Sequence, residues 1–222
     1  MDTNETPVEQ ASVTVDVLIL SIDDGRLSAL LVKRAEKPYP GMWAIPGAFI
    51  WKGESLEEAA KRVALDKIGV EDLYLEQLYT FGDPDRDPRK RVVTVTYLSL
   101  IPWKKLGPPV SRQVSEVRWF PVKEAPALAF DHAHILEYGR ARLEAKASYS
   151  NIVYGLLPDK FRLSDLQRIY EIILDKPLDK RNFRKRMLSL GLLARTGQKE
   201  VVGAHRPAEL YRFKTREIVF FD

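Results

Sequence analysis

The stretch from Gly47 to Val70 constrains the fold more than any other part of the chain. Gly53-Glu54-Ser55 opens a run to Ile68 in which Leu56, Ala59, Ala60 and Val63 fall on one apolar helix face, and Gly69 suits a C-cap. Positions 63, 66 and 67 are spaced i, i+3, i+4, so they share a face, and they carry Val63, Asp66 and Lys67. A hard cation needs several oxygen ligands. Val63 supplies none, Lys67 adds an ammonium that repels a cation, and Asp66 with Glu54 alone makes a poor metal site. Val63 equally suits a wider apolar face of the helix.

Around this helix the pattern alternates strands with turns. Val13 to Leu20 and Leu27 to Lys33 read as strands joined at Asp23-Asp24-Gly25. Pro38, Pro40 and Gly41 mark a loop delivering Trp43 to Gly47. Leu75 to Phe81, Arg91 to Ile101 and Val117 to Phe120 read as further strands, and Asp131 to Ala147 as a helix burying Ile135, Leu136 and Leu143. Residues 1–11 are expected to form a disordered tail. With no cysteine, neither a disulfide framework nor a cysteine-based zinc site is possible, and His132, His134 and His205 make no convincing metal cluster. The polar N-terminus offers no signal peptide and no apolar run spans a membrane, so the expected compartment is the cytoplasm.

A second unit begins near Ser148, giving expected domains of 12–148 and 149–222. Phe161, Leu163, Leu166, Ile169, Tyr170 and Ile173 recur at helical spacing, and Asp175-Lys176-Pro177 breaks that helix. Asp179 is a good N-cap for another helix running to about Leu190, with Phe183, Met187 and Leu190 on one face. Leu192 to Arg195 and Leu210 to Phe213 could pair as a wing, with Thr196 to Glu209 as its loop. Lys180 to Arg212 holds nine Lys or Arg against two Glu, a net +7 that leaves −3 on the rest of a +4 chain. That asymmetry points to an anionic partner.

Two constellations follow. On the basic helix, Arg181, Asn182 and Lys185 are of the types that read base edges, while Lys180, Arg184 and Arg186 suit phosphates. Arg206, followed by Pro207, could touch a minor groove or the backbone. The alternative is a solvated amphipathic helix. The loop Phe81 to Arg91 is dense in both charges and stiffened by Pro84 and Pro88. Its arginines suit phosphates and its aspartates sugar hydroxyls, unless they pair with one another. Arg34, Trp43, Asp85, Arg86 and Arg91 are therefore the candidate small-molecule residues, although Trp43 could equally be core. His132 beside Asp131 reads as a helix cap and a satisfied polar pair without a catalytic role.

The Gly47–Val70 stretch resembles the Nudix box, matching its frame at Glu54, Arg62, Ala64, Gly69 and Val70. It departs at Ala48 for the first glycine, Val63 for the glutamate after Arg62, and Asp66 and Lys67 for the paired glutamates. With Phe81 to Val95, Leu128 to His132, Leu178 to Arg186 and Arg206 to Tyr211, nearly the whole chain resembles the Nudix-related transcriptional regulators called NrtR. The resemblance implies a Nudix α/β/α sandwich with a mixed sheet, followed by a winged helix-turn-helix. It also implies a dimer that binds palindromic operator DNA, with an uncatalytic Nudix domain as sensor. Many members respond to ADP-ribose and control NAD synthesis; others respond to pentoses such as arabinose. The Arg-rich loop favours ADP-ribose. No catalytic residue, metal or cofactor is expected. The alternative reading is a hydrolase of ADP-ribose-like nucleoside diphosphates with an accessory basic domain.

Overall fold

The computed structural model describes residues 9–69, 73–103, 113–200 and 207–221. β1 (Ser12–Asp23) and β2 (Arg26–Arg34) form a hairpin, followed by the short β3 (Trp43–Ala44) and β4 (Gly47–Phe49). The hairpin turns at Asp24 and Gly25, with φ of 45° and 71°. Two successive positive φ values match the strand twist, and Asp and Gly tolerate them. Helix α1 (Leu56–Ile68) leads to β5 (Glu76–Phe81), β6 (Val92–Leu100), β7 (Val114–Pro121) and helix α2 (His132–Tyr149).

These strands form one mixed sheet in the order β3-β2-β1-β6-β5, with β4 added to β1 and β7 to β2. β1 and β6 run parallel from Ser12↔Val92 to Leu20↔Leu100, and the other pairings are antiparallel. Alternation along β1 feeds two cores. Val15, Val17 and Ile19 meet Ala59, Ala60 and Val63 of α1 on one face. Leu18 and Leu20 meet Ile135, Leu136 and Leu143 of α2 on the other. The Nudix part is therefore a helix–sheet–helix sandwich. Gly139 lets α2 approach closely: a Cβ there would lie 2.1 Å from Leu18 Cδ2.

Local sequence explains the ends of α1. Ser55 Oγ accepts from the Glu58 N–H while Glu58 accepts from the Ser55 N–H, a complete capping box. Gly69 ends the helix at φ 64°.

A single 3-10 turn over Ile152–Leu156 links α2 to the second unit: β8 (Phe161–Arg162), α3 (Leu163–Leu174), α4 (Lys180–Ser189), β9 (Leu193–Glu200) and β10 (Ala208–Phe213). Asp175 at φ 52° ends α3, and Asp179 caps α4 by accepting from the Asn182 N–H at 2.8 Å. The wing pairs Arg195 with Tyr211, but β9 continues to Glu200, opposite Ala208. The expected loop from Thr196 to Glu209 is thus shorter, because β9 and β10 keep pairing as far as Glu200 and Ala208, and Thr196 is a residue type that strands favour. β8 adds a third strand to β10. Among the described residues no helix is long and apolar enough to cross a membrane.

The two units share one apolar cluster that runs from Leu18 through Ile152 and Leu157 to Leu166, Phe183 and Met187. The C-terminal segment clamps the junction. Asn151 is buried; its Nδ2 donates to the Glu217 carbonyl at 3.0 Å and its Oδ1 accepts from the Val219 N–H at 2.7 Å. Tyr149 accepts from the Phe221 N–H at 2.8 Å. Asn151→Ala should leave both main-chain groups without these partners and lower the unfolding free energy by about 1–3 kcal/mol. Chemical denaturation of the variant measures this directly; an unchanged midpoint would show that the clamp adds nothing.

Candidate functional site

A cleft of about 410 Å³ opens between β1, β2, β4, α1, the loop before β6 and the start of α2. Its floor is charged and buried. Asp16 interrupts the apolar run of β1, and its Oδ2 accepts from Thr94 Oγ1 at 2.7 Å. Gly47 is required beside it, since a Cβ there would lie 1.9 Å from Asp16 Oδ1. Arg86 donates to both oxygens of Asp131, at 2.9 and 2.7 Å, and its Nη2 stands 3.6 Å from Asp16. His132 Nδ1 accepts from the Ile45 N–H at 2.9 Å, leaving Nε2 3.8 Å from Asp16 Oδ1. Burial pushes the His132 imidazole below its usual range, so it is neutral near pH 7.

The reading of Asp131 as a side-chain cap is corrected by this geometry. Asp131 occupies the N-cap position of α2 but makes no side-chain cap bond. A two-point, charge-assisted pairing with a buried guanidinium outcompetes a cap.

Around the rim, Arg89 donates to Asp87 at 3.0 and 2.7 Å. Arg34 donates from Nε to the Pro38 carbonyl at 2.7 Å and lies 4.9 Å from the Phe130 ring centre. On α1, Lys67 donates to the Gly47 carbonyl at 2.5 Å, and burial holds its ammonium below the usual range. Val63 is fully buried with Ala59 and Ala60. Glu54 accepts from Arg62 at 2.6 and 2.8 Å, and Arg62 also donates to the Phe49 carbonyl at 3.0 Å and stacks 3.8 Å from the Trp51 ring centre. Among the described residues no group of three or more His, Asp or Glu side chains is placed to hold a metal ion.

Of the five residues expected to line a small-molecule site, Arg34 and Arg86 are in the cleft. Trp43 is elsewhere: its neighbour Ala44 faces α1, so Trp43 faces the opposite side of the sheet, 4.6 Å from the Phe120 ring. Asp85 is exposed on the loop between β5 and β6. Arg91 is spent on the Gly82 carbonyl at 2.6 Å and faces Glu9 at 3.9 Å. Sequence reasoning missed Asp16 and Phe130, and it singled out Asp85 and Arg91 from the Phe81–Arg91 loop where Asp87 and Arg89 line the cleft. For Asp16 a signal existed, a lone carboxylate inside an apolar central strand.

The second candidate surface is α4. Phe183 and Met187 are buried, with Phe183 5.4 Å from the Tyr170 ring of α3. Lys180, Arg181, Asn182, Arg184 and Lys185 are exposed. Arg186, grouped with the phosphate contacts on sequence, is exposed too and donates from Nη2 to the Ser148 carbonyl at 3.0 Å. Arg206 lies outside the described residues.

The Glu54–Arg62 pair generates a test. The hydrogen bond from Arg62 holds the Glu54 carboxyl down at about 2. Because the folded value is depressed, the pair's stabilisation is present above the ordinary carboxylate range and is lost as pH falls through about 2. A carbon-detected titration should place the Glu54 midpoint near 2, and Arg62→Ala should return it to the ordinary glutamate range. An ordinary midpoint in the unsubstituted protein would contradict the pairing.

Known families match both units of the chain. Residues 12–139 match the NUDIX domain family and residues 153–213 the NrtR DNA-binding winged helix domain. The chain is 39% identical over 212 residues to the ADPR responsive transcriptional repressor NtrR of Acinetobacter baylyi, covering 94% of this chain and 84% of that one. Shewanella oneidensis NrtR complexed with a 27mer DNA is 38% identical, with a TM-score of 0.82, over 91% of this chain and 93% of that one. The NUDIX domain of Shewanella oneidensis NrtR complexed with ADP ribose is 36% identical, with a TM-score of 0.56, over 63% of this chain and 94% of that one. The chain therefore belongs to the NrtR family, in which a Nudix domain precedes a DNA-binding winged helix.

Proposed function

We propose that the protein is a cytoplasmic, homodimeric transcriptional repressor that binds a palindromic operator and senses ADP-ribose without hydrolysing it. In this reading residues 12–148 bind the effector and residues 149–222 bind DNA. The observation that carries the DNA half is α4. Its apolar side is buried on α3, and its opposite side presents Lys180, Arg181, Asn182, Arg184 and Lys185 to solvent. A helix so displayed fits a major groove. Arg181, Asn182 and Lys185 read base edges, Lys180 and Arg184 bind phosphates, and Arg206 reaches the backbone or minor groove. Two copies related by a two-fold axis read half-sites about one helical turn, or a multiple of it, apart.

The effector half rests on the cleft's chemistry. Its cations suit a diphosphate better than a free pentose, and relatives bearing the names ADPR responsive repressor and NrtR complexed with ADP ribose share this domain. Loss of hydrolysis follows from the same helix. Val63 is in the core, Glu54 is held by Arg62, and Lys67 brings a positive charge to the face where a metal would need oxygens.

The test uses duplexes that the protein itself selects from a random pool. Arg184→Ala should weaken binding to every sequence and lower the salt slope by about 1. Arg181→Ala or Asn182→Ala should cost about 1–3 kcal/mol and relax preference at one position. Full affinity after all three substitutions would remove α4 from the interface. In the same preparations, magnesium-dependent release of AMP from ADP-ribose at enzymatic rates would contradict the sensor reading.

A further inference from the structure

Six cations line the cleft; Lys37 is exposed at its rim, and the other five fall into two groups. Arg62, Arg86 and Arg89 are each committed to a carboxylate: Glu54, Asp131 and Asp87. Arg34 and Lys67 differ. Neither stands in an ion pair among the described residues. Arg34 donates only to the main-chain carbonyls of Pro38 and Glu36, at 2.7 and 3.3 Å. Lys67 donates only to the Gly47 carbonyl, at 2.5 Å. They come from different walls, the end of β2 and the last turn of α1, and open on the same cavity.

A partly buried cation with no carboxylate in contact is costly, and a bound anion reduces that cost. Burial pushes Lys67 below its usual range; Asp16 pulls against it, while Arg34 and Arg62 push with it. Arg34 is lowered likewise, by burial and by Arg89, against the pull of Asp87, Glu36 and Asp16. Each retains unused donors: an ammonium has three N–H groups and a guanidinium five. Gly47 matters here too, because it pairs with Asp16 between β4 and β1, and its carbonyl accepts from the Lys67 ammonium.

We infer that Arg34 and Lys67 clamp the diphosphate of the nucleotide effector between them, with the Lys67 ammonium supplying the positive charge, so that binding requires no divalent metal. The inference rests on the proposed sensing of ADP-ribose and assigns the groups that recognise it. It also gives Lys67 a use: a carboxylate at this position would repel a bare diphosphate, whereas a lysine attracts one. The cleft then binds the anion directly where a hydrolase would need metal ions to activate it.

Calorimetric titration of the full chain with ADP-ribose, in EDTA and in excess magnesium chloride, tests this without any substitution. The affinities should agree within about twofold. Lys67→Met keeps the aliphatic stem and should weaken ADP-ribose binding by about tenfold to a hundredfold, the range for a lost hydrogen bond to a charged group. Lys67→Arg should recover most of the loss. Recovery by Lys67→Arg, which restores the cation and the donor, separates lost recognition from lost structure. Binding that appears only with magnesium, or a Lys67→Met protein that binds as well as the parent, would overturn the clamp while leaving ADP-ribose sensing intact. Absence of ADP-ribose binding in both buffers would reject the sensing model and the clamp with it.

Discussion

Helix α2 packs against the sheet on one side and against α3 on the other, and the rest of the molecule is organised around that contact. Its 18 residues rise about 1.5 Å each, so it reaches roughly 27 Å. At its start, Asp131 holds Arg86 and His132 holds the Ile45 amide, both within the cleft. Near its end, the Ser148 carbonyl accepts from Arg186 of α4, and Tyr149 and Asn151 bind the C-terminal segment. The cleft and the basic helix are thus joined by one packed rod rather than by a slack linker. Close-packed interiors deform little and transmit displacement. A shift of the first turn of α2 on ligand binding is one that α4 must accommodate.

The buried charges set the chemistry of the cleft. Asp16, Arg86 and Asp131 satisfy one another, aided by Thr94 and by the neutral His132. Breaking such a set by removing one member exposes an uncompensated buried charge, which costs far more than the set itself contributes. The carboxylates at the floor are therefore structural. Two further cations of the cleft, Arg34 and Lys67, donate to main-chain oxygens and stand in no ion pair among the described residues.

Much of this was legible in the sequence, for local reasons. Ser55 with Glu58, Gly69, Asp24-Gly25 and Asp179 announce caps and turns through bonds made within a few residues. Helical spacing located α3 and α4, and strand alternation located β1 and β6. What escaped depends on contacts between distant residues. Arg86 meets Asp131 across 45 positions, and Lys67 meets Gly47 across 20. Trp43 sits in a two-residue strand, too short for alternation to say which face it takes. Arg186 looks on sequence like its basic neighbours and is exposed like them, and only the position of Ser148, 38 residues away, shows its bond to that carbonyl.

The central claim is that occupancy of the cleft is read at α4. It is tested most directly by measuring affinity for a self-selected duplex with and without saturating ADP-ribose, and affinity for ADP-ribose with and without that duplex. The account predicts a change of about 5- to 150-fold, equal in both directions as linkage demands. Duplex affinity that is identical with an empty and a filled cleft would contradict it.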